Sequence, residues 1–384
     1  MSGNSATNFS FPGRAEISTG WGGLFYFNER GDDLSNLRQV GSTGLLRSSG
    51  IVNVRNRSYS AFASVTYKLP WLEGLSATGG FRYTKDKRSG TALQTVNGAC
   101  NLKLTNGSFI CGLPGEVSYS KPSWTLSLNY QASPDALLYV AHRRGYRAGG
   151  LQNRVSIESA AVPFEPETVN DVEVGAKLDF DIGFPARVNI AAYSAWYKNL
   201  QRVQSLTLPG TTTLVSLTFN AAAGKTKGIE IETTLKPTSR LTLTGGFALT
   251  DMIYSKYFFG GVDVSHQNYS YVPKYTADAS AAYVLPIAEQ LGTVTLSGNV
   301  HYQSNIQIAD VPKPFFILPG YTLVNARMEW SNLLNSNFSA SVFANNLLNE
   351  AYFPSGASIT DSLGAAVRVV GAPRMYGIQV RYEF

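Results

Sequence analysis

The chain has 384 residues, 44% of them hydrophobic and only 15% charged, with a formal net charge of +6. No stretch approaches the roughly 18 consecutive apolar residues that a spanning helix needs, which excludes a helical membrane protein. Its Lys and Arg are dispersed apart from one cluster at Arg143, Arg144 and Arg147, which argues against a nucleic-acid partner.

The opening segment, MSGNSATNFSFPGRAEISTG, has no basic stretch followed by an apolar core and so is not a secretory signal peptide. Beyond it the chain reads as strands and turns. It holds 21 Tyr, 20 Phe and 36 Gly against 4 Met. Apolar and polar residues alternate with period two at Leu75, Ala77, Gly79, Phe81 and Tyr83. The alternation recurs at Trp124, Leu126, Leu128 and Tyr130, then over Leu241–Leu249 and Val294–Tyr302. Such segments have one apolar face and one polar face. Soluble sandwich strands run about five or six residues. Many runs here reach about ten, the length a tilted strand needs to cross a bilayer. About fourteen are present, and strands in lipid must close into a barrel to pair every backbone group.

The connections alternate in length. Short ones are expected at 70–74, 132–135, 182–185, 236–239, 286–292 and 332–337. Long ones are expected near 31–49, 88–115, 149–165, 255–271, 310–319 and 350–365. Outer-membrane barrels have short periplasmic turns and long extracellular loops, so the long set is assigned to the outside. One long loop carries Cys100 and Cys111 in NGACNLKLTNGSFICG. No further Cys or His lies close enough to complete a metal site, and a disulfide formed in an oxidising compartment is the reading. The chain ends in Tyr376, Ile378, Val380, Tyr382 and Phe384, apolar at every second position. That ending resembles the signal by which the barrel-assembly machinery recognises outer-membrane proteins.

Chemistry on a substrate finds little support. The three histidines, His142, His266 and His301, stand in no motif with Ser or Asp, and acidic residues do not cluster at metal-ligand spacing. Gly224-Lys225-Thr226 imitates the end of a P-loop, but Phe219 stands where the first glycine belongs. Neither an enzyme nor a cofactor is expected.

Several segments together resemble the barrel of TonB-dependent outer-membrane receptors. They are Trp21–Tyr26 (WGGLFY), Phe62–Thr84 (FASVTYKLPWLEGLSATGGFRYT), Leu138–Gly150 (LYVAHRRGYRAGG), Phe164–Asp179 (FEPETVNDVEVGAKLD), Asn220–Glu232 with its Lys227-Gly228-Ile229-Glu230, and Asn345–Tyr352 (NNLLNEAY). Each is a loose pattern, but their order and spacing are specific. The resemblance implies an all-β transmembrane antiparallel barrel, with about fourteen strands present of 22, in the outer membrane of a Gram-negative cell. It also implies a plug domain, which residues 1–384 do not contain, so the chain is expected to be a partial barrel. The implied function is uptake of a scarce, bulky ligand such as an iron–siderophore, energised by TonB through the plug. Implied partners are the outer-membrane lipid and lipopolysaccharide, TonB, the assembly machinery and the ligand. By position, Arg143, Arg144, Tyr146, Arg147, Gln152 and Arg154 are the candidate ligand contacts, arginine suiting an anionic ferric complex and tyrosine stacking on aromatic groups. The alternative is a complete fourteen-stranded passive channel.

Overall fold

In the computed structural model, residues 4–8, 17–41, 44–152, 155–207, 214–259, 262–310, 314–359 and 365–384 are described. Fifteen strands follow one another as an antiparallel meander, each bonded to the next. They are β1 (Asn4–Asn8), β2 (Ile17–Gly41), β3 (Gly44–Lys68), β4 (Leu75–Val96) and β5 (Gly112–Ser133). Then come β6 (Ala136–Arg147), β7 (Glu167–Asp181), β8 (Pro185–Thr207), β9 (Leu214–Thr238) and β10 (Leu241–Phe259). The last are β11 (Tyr275–Val284), β12 (Thr293–Gln303), β13 (Tyr321–Ser331), β14 (Phe338–Asn345) and β15 (Met375–Tyr382). Two two-residue strands in loops, Ala99–Cys100 and Val262–Asp263, complete a sheet of 17. The expected fourteen long segments are therefore present, with the short β1 in addition.

Register explains the alternation. Leu128, Val140, Val174, Ala192, Ile229, Leu249 and Tyr275 stand directly opposite one another from β5 to β11, forming one apolar row across the sheet. No described residue covers it: Leu128 is 47% exposed and Val174 51%. A soluble sandwich would bury such a row under a second sheet. The other sheets among the described residues are two-stranded ribbons in loops. An uncovered apolar surface of this extent marks contact with lipid or with another protein.

Where large side chains are fully buried, they lie toward the long-loop end. Leu102, Val155, Tyr254, Tyr257, Phe316 and Leu318 are all below 2% exposed. The wall carries little core of its own, and the loops pack on one another above it.

All six short turns fall where the residues place them. Gly74 turns the chain at φ +82, and a side chain there would collide with the Gln131 carbonyl. The long connections differ in two respects. First, segments 31–49 and 88–115 are largely strand: β2 and β3 pair continuously to Gly41 and Gly44, and β4 and β5 pair up to Leu93 and Gly112. Once a hairpin is in register, each further hydrogen-bonded pair adds two ladder bonds, so pairing continues despite polar composition. Second, the β8–β9 hairpin around 207–214 is a further long-end connection that the residue pattern had not separated from its strands.

Candidate functional site

The long-loop end of β6 carries the arginine cluster, and the structure gives its members separate tasks. Arg143 is bound to β7: its Nε and Nη2 donate to Asp171 Oδ2 at 2.9 and 2.6 Å, and Nη2 also donates to Glu173 Oε2 at 2.6 Å. Its charge is thus matched by two carboxylates on the adjacent strand. Arg144, one residue on, turns to the other face and lies over the Trp124 ring at 5.0 Å. The Tyr146 hydroxyl donates to Asp86 on β4. Arg147, opposite Glu167, remains exposed. The side chain of Gln152 is taken up by backbone: its Nε2 donates to Thr218 O at 2.6 Å and its Oε1 accepts from Thr218 N at 3.1 Å. Gln152 therefore pins the loop after β6 to β9. Arg154 lies outside the described residues.

A second assembly was not read from the residues. β-Bulges shift the register between Tyr197 and Leu200 on β8, and opposite Ala223 and Gly224 on β10. Each bulge exchanges the two faces, so Tyr257 joins Tyr254, and Leu200, Arg202 and Gln204 come to the same side. The Tyr254 and Tyr257 hydroxyls donate to Asp310 Oδ1 at 2.8 Å and Oδ2 at 3.2 Å. Ser270 Oγ adds a third bond to Oδ1 at 2.9 Å. Arg202 lies over the Tyr269 and Tyr254 rings, at 4.5 and 5.2 Å. Gly224 makes the stack possible, because a side chain there would collide with the Tyr269 hydroxyl. The signal in the sequence was Tyr254 and Tyr257 three apart in a strand of period two.

The loop after β4 is closed by a disulfide between Cys100 and Cys111, whose Cα atoms are 4.3 Å apart. It is lashed to the loop after β6: Glu158 Oε2 accepts from Thr105 N at 2.8 Å and Thr105 Oγ1 at 2.9 Å. Lys103 N donates to Ser156 O at 2.8 Å. The Tyr119 hydroxyl donates to Phe164 O at 2.8 Å, so this second loop folds against the face of β5 that bears Tyr119. That face is the inner one, since the opposite face carries the uncovered apolar rows. Among the described residues no three His, Cys, Asp or Glu side chains are grouped to hold a metal ion.

Residues 1–347 match the family described as TonB dependent receptor-like, beta-barrel. The chain belongs to this family. Barrels of TonB-dependent receptors are outer-membrane proteins, and the family consists of transport receptors rather than enzymes. Solved structures share the fold. The ferric yersiniabactin uptake receptor FyuA from Yersinia pestis superposes with a TM-score of 0.77 at 19% identity, covering 99% of this chain and 53% of that one. The ferric-catecholate import receptor Fiu from E. coli K12, in its open form, gives 0.66 at 14% identity over 98% and 50%. The ferric citrate transporter FecA in the unliganded form gives 0.61 at 15% over 98% and 60%. This TonB-dependent receptor barrel thus spans about half the length of the solved structures it resembles. No curated protein matches it.

Proposed function

We propose that this barrel forms part of the wall and outer mouth of an uptake receptor for a scarce, bulky ligand such as a ferric siderophore, energised through TonB. The observation that carries the reading is the division of the wall. Its outer face is an uncovered apolar band, its inner face is polar, and at one end long loops fold toward the inner face. This arrangement suits a ligand captured from outside and passed inward. That the similar FyuA, Fiu and FecA are by name an uptake receptor, an import receptor and a transporter supports it.

Within the arginine cluster, Arg147 is the contact we assign to an anionic ligand, with Arg154 and Tyr146 beside it in sequence. Arg143 is matched by two carboxylates and acts as a brace, and Gln152 positions the loop. A passive channel would need β1 and β15 to pair, and among the described residues they do not.

The test is uptake of radiolabelled iron as siderophore complexes by cells with and without the gene, and with TonB inactivated. Uptake that requires both supports the reading. Uptake of small solutes independent of TonB would replace it with the passive channel.

A further inference from the structure

Arg147 stands directly opposite Glu167 across the β6–β7 ladder. An arginine and a carboxylate in that position share one face of the sheet and pair favourably. Arg143 shows what this wall does with such a neighbour: Asp171, directly opposite, accepts two of its bonds. Arg147 and Glu167 do not pair. Arg147 is exposed, and no described residue bonds to its guanidinium. The Glu167 carboxylate is engaged elsewhere, because its Oε2 accepts the Gln201 main-chain N–H at 2.9 Å.

The bulge in β8 makes that donor available. The β7–β8 ladder reaches its last pair at Thr168 and Lys198, so the main chain of β8 beyond it is not taken up by β7. The β8–β9 register then slips between Tyr197 and Leu200 and again between Leu200 and Gln201, with Asn199 at a φ of +55. The Gln201 side chain fixes the arrangement. Its Nε2 donates to Ala148 O at 3.0 Å, next to Arg147, and to Glu165 O at 3.1 Å, just before Glu167. Asn220, opposite Gln201 on β9, donates to Glu165 O at 2.7 Å and to Asn199 O at 2.9 Å. It also accepts from Glu165 N at 2.7 Å. Both ends of the loop after β6 are thereby fastened to the bulge.

We propose that Gln201 is a positioning residue of the ligand site: it withholds the Glu167 carboxylate from Arg147, so that the guanidinium stays free for an anionic group of the ligand. A paired arginine must give up one carboxylate before it takes another, and a carboxylate aimed into the site also repels an anion. With Glu167 turned to the main chain of β8, the first penalty is absent and the second is reduced. Preference for an anion is therefore set from a strand that does not carry the arginine. The inference rests on the reading above, which assigns Arg147 to the ligand.

The first test needs no ligand. In an Arg147→Lys protein, a carbodiimide activates the Glu167 carboxyl, the amine at position 147 displaces the resulting urea, and a zero-length amide joins the two positions where they touch. Peptide mass spectrometry reads its yield. That yield is low with Gln201 in place and rises on the order of tenfold when Gln201→Ala is added. Equal yields with and without Gln201→Ala overturn the proposal. With Arg147 restored, affinity for ferric citrate as an anionic probe is measured by fluorescence titration. Gln201→Ala weakens it by about tenfold, and adding Glu167→Gln brings it back. A residue that merely braces the loop gives a loss that Glu167→Gln does not repair, and that result also overturns the proposal. Where the parent does not bind ferric citrate, the cross-link alone decides. Iron uptake by cells is measured in parallel: its absence in the parent removes the transport reading, while the cross-link still reports whether Gln201 withholds Glu167.

Discussion

Tyr254 and Tyr269 lie face to face, ring centroids 4.1 Å apart and planes 18° from parallel, although one is in the wall and the other in the loop that follows it. Asp310, from a different loop, accepts the Tyr254 hydroxyl. The pair therefore joins the strand end to two loops at once, with both tyrosine side chains buried. Asp310→Ala leaves three hydroxyls without their acceptor, two of them on tyrosines with no exposed surface. The expected cost is about 1–3 kcal/mol per orphaned buried donor, confined to the loops. Hydrogen exchange should speed up at residues 264–271 and 304–310 and stay unchanged in β5 to β8.

The arginines of β6 separate in their effects. Arg143→Ala leaves Asp171 and Glu173 side by side without their cation. Because the Arg143 side chain is 40% exposed, the loss is reduced from the buried-pair value to about 1–2 kcal/mol, read as a lower midpoint of denaturant unfolding. Arg147→Ala leaves that midpoint where it is and weakens ligand binding by about tenfold, measured by fluorescence titration.

The disulfide acts on one loop. Cys100→Ser with Cys111→Ser opens the 97–111 segment to proteolysis without lowering the stability of the wall, because the bridge closes only that hairpin. Limited proteolysis followed by mass spectrometry reads this directly. Free thiols in oxidised, folded protein would remove the bridge from the account.

Acid loosens the same region. The Thr105 amide and hydroxyl hold the Glu158 carboxyl below its ordinary pKa of 4.5. A depressed carboxylate adds stability above its unfolded pKa, and that contribution disappears as pH falls through the lower, folded value. The lash between the two loops is therefore intact at neutral pH and lost in acid below 4.5. Glu158→Gln should reproduce the acid state at neutral pH, with faster exchange at the Thr105 amide.

The wall was legible because a strand with lipid on one side and an aqueous interior on the other must alternate, and Leu75–Tyr83 and Leu241–Leu249 do so without a break. The short turns were legible for a related reason: Gly74 and the Asn332–Asn337 segment carry residues suited to positive φ. The loops were not. The strand ends at 31–41 and 44–49 carry no sustained period-two alternation and are held by their register with each other, which no local pattern announces. The tyrosine cluster depended on two bulges that exchange faces, and the residue pattern places Tyr257 in the connection 255–271 rather than in β10. Arg143 stood out by type, but its role was decided by Asp171 and Glu173, which only strand pairing brings to it.

The central claim is that the apolar rows face lipid. Spin labels placed singly along β6 and β7, at Leu138, Tyr139, Val140, Ala141, Val172, Glu173 and Val174, report it in reconstituted bilayers. Collision rates with oxygen, which concentrates in lipid, should be high at Leu138, Val140, Val172 and Val174, and rates with a water-soluble nickel complex high at the positions between. Equal rates at successive positions, or low oxygen access at Val140 and Val174, would contradict the account.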